Sequence, residues 1–232
     1  MWRKVENLTL PQSIATILGE FANIESNIVY CEYDRDLNNT NLTLRDVKPD
    51  ELITIGVDFN NNGMSAVGYI VREGKAHVIY ENIGSLNTKT LVQNLNRDLV
   101  GKKFILVPDP ACTQNRSNSE STDLAILRNA NFRIKLMQSH PEVRDRVNSV
   151  NARFQNFKGE RNLLINRNSC PLTSTALLQQ IYNSAGEPTK KVKLMGTAYT
   201  HVDGPLDALG YAVFINWPLV SQSAKKITIV GF

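Results

Sequence analysis

Residues 53–60 read ITIGVDFN. Side chains alternate across an extended chain, so Ile53, Ile55, Val57 and Phe59 share one face. Thr54, Gly56 and Asp58 share the other. The run reads as a strand that ends on a carboxylate, followed by the turn formers NNNG at 60–63. FILVPDPAC at 104–112 repeats the pattern, an apolar run that closes on Asp109 between two prolines. Pro108 and Pro110 end the strand ladder and stiffen the backbone around that carboxylate. Alone, each aspartate reads as a turn residue. Together they read as half of a metal site.

The stretch between them sets the expected topology. MSAVGYIVRE at 64–73 and AHVIYENIG at 76–84 are strand-like and joined by the tight turn EGK. Short turns predict an antiparallel meander. TKTLVQNLNRDLVGK at 88–102 places Leu91, Leu95 and Leu99 at helical spacing. The order is therefore β-β-β-α-β, and a helix between two strands returns the chain parallel. If the FILVPD strand lies beside ITIGVD, Asp58 and Asp109 meet on one sheet edge.

Further elements flank this core. Upstream, residues 11–24 predict an amphipathic helix, NIVYCEY at 27–33 a short strand, and 34–50 a polar connector. Downstream, 121–131 predicts a helix and FRIKLMQ at 132–138 a strand. Residues 141–157 predict a helix with the stripe Val143, Val147, Val150, Phe154 and Phe157. LLINRN at 163–168 predicts a strand, 172–184 a helix, and 186–201 a polar loop or hairpin.

The stretch THVDGPLDALGYAVFINWP at 200–218 holds a third carboxylate. Pro205 fits the first helical position with Gly204 as cap, which puts Asp207 in the first turn of a helix apolar nearly all round. A first-turn carboxylate is favoured by the helix dipole without any function. Asp203 reads as a turn or cap residue. Asp58, Asp109 and Asp207, however, each sit at the end of a strongly apolar element. A buried carboxylate cluster repels itself, and hard divalent cations with oxygen ligands offset that repulsion. Two such ions about 3.5–4 Å apart clamp an in-line phosphoryl displacement.

Composition narrows the classes. At 232 residues, 42% hydrophobic and 21% charged, the chain suits one good-sized globular domain. No run is long and apolar enough for a transmembrane helix, and MWRKVENLTL lacks a signal-peptide core. Cys31, Cys112 and Cys170 have neither disulfide-framework nor zinc spacing. No G-x-S-x-G, HExxH or P-loop motif occurs. Net charge is +4, yet residues 128–167 carry nine basic and three acidic residues, more positive than the whole chain. That segment is either a solvated basic face or a phosphate-contacting surface. Arg144, Arg146, Arg153, Lys158 and Arg161 are its candidate DNA contacts.

IGVDFN, VPDPA and HVDGPLDALGYAV, in that order, resemble the nuclease domain of bacteriophage large terminases. EVRDRVNSVNARF and NRNSCPLTSTALLQQI resemble the intervening segments of that family. The resemblance covers roughly residues 27–218 and implies an α/β, RNase H-like fold related to RuvC resolvases. That fold has a mixed sheet of five or more strands, antiparallel at first and then parallel, with helices on both faces. It implies Asp58, Asp109 and Asp207 as catalytic ligands of two Mg²⁺ or Mn²⁺ ions, with Asp203 as a possible fourth acid. Its spacing to Asp207 departs from the three-residue spacing of RuvC-like enzymes. His201 is then an orienting residue or an ordinary loop histidine. The implied activity is cleavage of concatemeric double-stranded viral DNA during genome packaging, in the cytoplasm of the infected bacterium. The implied partners are an ATPase domain, the small terminase subunit and the portal or procapsid, with no membrane and a monomeric isolated domain. Residues 1–26 would be a lead-in, 27–220 the nuclease domain and 221–232 a tail. The alternatives are a junction resolvase or RNase H, and a non-catalytic module binding DNA or a capsid partner.

Overall fold

The computed structural model describes residues 27–60, 63–114, 121–137, 139–190 and 202–219. The helix expected at 11–24 and His201 lie outside the described residues. ITIGVDFN forms β1, Leu52–Asp58, buried at every position after Leu52. The meander follows as β2, Met64–Arg72, and β3, Lys75–Ser85, both antiparallel to their predecessors. Helix α1, Thr88–Asp98, is capped by Asn87, which accepts from Thr90 N. It leads into β4, Lys103–Pro108.

β4 pairs parallel with β1 from Leu52↔Lys103 to Val57↔Pro108. The neighbour relation expected from β-β-β-α-β order is therefore present. A short β5, Leu163–Ile165, pairs parallel with β3, giving the order β4-β1-β2-β3-β5.

Four further helices complete the fold: α2, Asp123–Asn129; α3, Val143–Phe154; α4, Pro171–Gln179; and α5, Asp203–Phe214. Both sheet faces are covered. Ile53, Ile55 and Val57 pack with Leu91 and Leu95 of α1 and Leu127 of α2. On the other face Val67, Tyr69 and Val78 pack with Val147 and Phe154 of α3, Leu177 of α4 and Leu209 and Val213 of α5. Each fully buried Leu or Val contributes roughly 1.5–3 kcal/mol. α5 is buried at ten of its positions, which is why its sequence is apolar nearly all round.

The structure departs from the sequence expectations at five places, the first being that the helix expected at 172–184 ends at Gln179, beyond which Ile181 and Tyr182 make isolated bridges. FRIKLMQ is not a strand: Ile134 makes one isolated bridge to Leu106, while Arg133, Lys135 and Leu136 are exposed. A chain with no second face to bury gains little by extending its pairing. NIVYCEY is not a strand either, because Val29, Tyr30 and Tyr33 are all buried and do not alternate. They turn into the core, where the Tyr33 ring lies 4.9 Å from Phe154. The α3 stripe is shorter than its spacing predicts: Val143 is exposed and Phe157 lies beyond the helix in solvent. Finally, α5 begins at Asp203 rather than after Gly204. Pro205 is tolerated there because first-turn N–H groups have no intrahelical acceptor.

Candidate metal centre

Asp58 is the last residue of β1, and its neighbours in the sheet are Ser65 of β2 and the end of β4. Asp109 is the first residue beyond β4, and its N–H donates to Val57 O at 2.8 Å. That bond continues the parallel ladder and sets the two aspartates at one sheet edge. Asp109 Oδ1 accepts from Ala111 N at 2.9 Å, so the aspartate also makes the turn that its sequence suggested. The same oxygen lies 3.3 Å from His140 Nε2.

Asp207 arrives from α5. The helix crosses β1 where Gly56 has no side chain: a Cβ there would lie 1.7 Å from Ala208 O. Backbone thus meets backbone, one residue from Asp207 and two from Asp58. Because α5 starts at Asp203, Asp203 and Asp207 stand one turn apart on one helix face. The four-residue spacing is that of a helical pair. Asp203 is 8% exposed, and Asn60 Nδ2 donates to its Oδ2 at 3.4 Å.

The electrostatics record this convergence. Burial, then the charges of Asp207, Asp109 and Asp203, push the Asp58 carboxyl up to about 8. Asp207 is pushed up to about 6, by burial first, with Arg146 opposing the rise. Arg146 Nη2 lies 2.8 Å from Asp207 Oδ1. Its guanidinium stacks 4.3 Å from the centroid of Tyr211, whose OH is 3.4 Å from His140 Nε2.

The donor set is oxygen-rich and its like charges are confined, which suits a hard divalent cation. Among the described residues, no three such groups are already drawn into one coordination shell. Arg146 holds Asp207, and the turn and His140 hold Asp109.

The candidate DNA contacts divide by position along α3. Arg144 and Arg146 sit at its N-terminal end and line a cleft of about 590 Å³ with Tyr182, Lys190, Asp203 and Asp207. Arg153, Lys158 and Arg161 lie at or beyond the other end. Arg153 donates to Gly74 O and Asn162 O and stacks 4.2 Å from the Trp217 ring. Arg161 donates to Glu32 O, Asn38 Oδ1 and Gln155 Oε1. Lys158 lies 5.7 Å from the exposed Phe157 ring.

Sequence reasoning did not single out Gly56, His140, Lys190 or Tyr211. Only Gly56 carried a local signal, since glycine inside a strand marks a close approach. His140, 31 residues beyond Asp109, carried none.

No family model matches the chain, and no curated protein matches it by sequence. Solved structures do match by shape. The large terminase of the thermophilic bacteriophage D6E superposes with TM-score 0.61 and 18% identity, covering 82% of this chain and 45% of that one. The chain thus spans less than half of the D6E protein. The P22 large terminase nuclease domain superposes with TM-score 0.60 and 12% identity, covering 84% of this chain and 96% of that domain. The nuclease of the large terminase from thermophilic phage G20c, solved with bound magnesium, gives 0.52 at 14% identity, covering 80% and 97%. The chain has the RNase H-like fold of these domains.

Proposed function

We propose that this chain is the nuclease of a phage DNA-packaging enzyme, hydrolysing phosphodiester bonds of double-stranded DNA with divalent metal. The observation that supports it best is the placement of Asp58 and Asp109 at the ends of two adjacent parallel strands, with α5 crossing β1 at Gly56, one residue from Asp207. The fold likeness and the magnesium bound by the G20c domain support it. Asp58, Asp109 and Asp207 would hold Mg²⁺ or Mn²⁺, with Asp203 beside them, and two bound ions would activate water and stabilise the leaving oxygen. Asp58 is kept from solvent, and Gly56 lets α5 bring Asp207 to it. Arg144 and Lys190 flank the cleft beside the acids and supply phosphate contacts for the incoming strand. In the complete enzyme an ATPase motor, the small terminase subunit and the portal are its partners, in the infected bacterium. Among the described residues no helix is long and apolar enough to cross a membrane.

The direct test is supercoiled plasmid incubated with the full chain across a range of Mn²⁺ concentrations. Nicked and then linear products are expected, and none in EDTA. Intact plasmid with protein shown to be folded by circular dichroism overturns the reading. Selective cutting of four-way junctions or RNA–DNA hybrids over linear duplex would move it to a resolvase or RNase H. Uptake of neither metal would leave a non-catalytic binding module.

The division of basic residues gives a second expectation. Arg144→Ala should weaken DNA binding and reduce its salt slope by about 1, as loss of one phosphate contact does. Arg161→Ala should leave the salt slope unchanged and cost about 1–3 kcal/mol of stability, because three part-buried acceptors lose their donor. Fluorescence anisotropy over a salt series, paired with urea denaturation, separates the two. The opposite pattern would assign Arg161 to DNA and Arg144 to the fold.

A further inference from the structure

Arg146 is a cation that the fold has placed among carboxylates and away from water. It is 3% exposed. One guanidinium nitrogen, Nη2, lies 2.8 Å from Asp207 Oδ1. The other, Nη1, is buried with no hydrogen-bond partner among the described residues. Its stem crosses α5 at Gly210, where a Cβ would lie 2.8 Å from Arg146 Cγ. Its face rests on Tyr211. Burying an arginine is costly unless its charge is answered, and here its hydrogen bonding is incomplete. For packing alone, an apolar residue of similar volume would serve as well or better. The feature that needs a positive charge is the acid cluster itself. Asp58 experiences the negative charges of Asp207, Asp109 and Asp203 together with the positive charge of Arg146. The cleft beside it is not basic: Arg144, Arg146 and Lys190 face Glu142, Glu187, Asp203 and Asp207.

We propose that Arg146 is a resident counter-cation of the metal centre. It neutralises part of the carboxylate cluster while no ion is bound, and it competes with the incoming divalent ion for Asp207. The inference rests on the metal-nuclease reading and assigns Arg146 a positioning role exerted through Asp207. It has a consequence that a purely structural arginine would not have. Removing a merely structural side chain loosens the site and weakens metal binding. Removing a competing positive charge strengthens it, while leaving the metal-free acids to repel one another.

The test is Mn²⁺ titration calorimetry on the full chain without DNA, with thermal unfolding in EDTA and in Mn²⁺. Arg146→Gln and Arg146→Met should each bind Mn²⁺ about tenfold more tightly than the unsubstituted chain. Arg146→Lys, which keeps the charge, should stay within about twofold. Both neutral variants should unfold at lower temperature in EDTA and recover in Mn²⁺. Unchanged or weaker Mn²⁺ affinity in both neutral variants overturns the proposal, even if plasmid cutting is intact. Should neither fold without metal, Mg²⁺ titration of the unsubstituted chain decides. The Arg146 guanidinium resonance, assigned by its absence in Arg146→Lys, should shift as the ion takes Asp207, and an unmoved resonance at saturation overturns the proposal. If the unsubstituted chain binds no metal, the nuclease reading falls and this inference with it. If it binds metal without tightening in the variants, only this inference falls.

Discussion

Asp58→Asn should abolish Mn²⁺-dependent cutting while making the metal-free protein more stable at pH 8. The two effects have one cause. Asp58 is 7% exposed and surrounded by like charge, and its carboxyl is raised from 3.8 to about 8. Between those values the folded protein keeps a proton that the unfolded chain has released. The folded state therefore binds more protons, and stability falls as pH rises through that window. Asparagine has nearly the same shape and no charge to desolvate, so the variant escapes this loss. Its advantage in EDTA should be largest, at several kcal/mol, near pH 8 and vanish towards pH 4. Without the carboxylate the site loses a ligand, and cutting should drop on the order of 10³-fold or more, exceeding the 10–100-fold typical of residues that merely support a ligand. Urea denaturation across pH, with plasmid cutting alongside, checks both. A variant that is inactive and also destabilised at pH 8 would mean that Asp58 is held by structure rather than strained by its neighbours. A fully active variant removes Asp58 from the site.

Gly56→Ala should be the most damaging one-carbon change in the sheet. The added Cβ would lie 1.7 Å from Ala208 O and 2.7 Å from Ala208 C, both backbone atoms that no rotamer change can move. α5 must then lift off β1 and carry Asp207 with it. Overpacking of this kind costs about 1–3 kcal/mol, and a displacement near 1 Å at a catalytic group costs on the order of 10² in rate. Gly68→Ala in β2 is the control. Its Cβ would meet the side chains of Ile55 and Ile53 at 3.1 and 3.2 Å, which can yield by small shifts. Thermal unfolding should show a clear loss for Gly56→Ala and a much smaller one for Gly68→Ala. Equal losses would mean that the strand tolerates α5 at a greater distance than the backbone contact suggests.

Much of the fold was legible because its signals are local. The alternation in ITIGVDFN, the turn EGK and the leucine spacing of α1 are each written within a few residues, and each element was found where expected, although β1 is buried on both faces. FRIKLMQ misled because its apolar residues alternate as in a strand, and Phe132 and Ile134 do pack on the core, yet its pairing with β4 stops at a single bridge, Ile134 to Leu106. The start of α5 misled because Gly-Pro is a common stop and start signal. Asp203 is helical here because the first turn asks nothing of the proline nitrogen.

By itself the sequence determined most of the elements, and that carboxylates stand at the ends of β1 and β4 and near the start of α5, because side-chain period and turn chemistry act over a few residues. It also carried, in the order of those three motifs, the family likeness that the fold bears out. Only the tertiary structure decided what those ends meet. β4 lies beside β1, so Asp109 continues the ladder next to Asp58. α5 touches β1 at Gly56, so Asp207 joins them from 149 residues away. Arg146 turns inward to Asp207 while Arg153 and Arg161 bind backbone and side chains of the fold. Contacts between residues so far apart in the chain are selected by packing of whole layers, and no local pattern encodes which layer will cover which face.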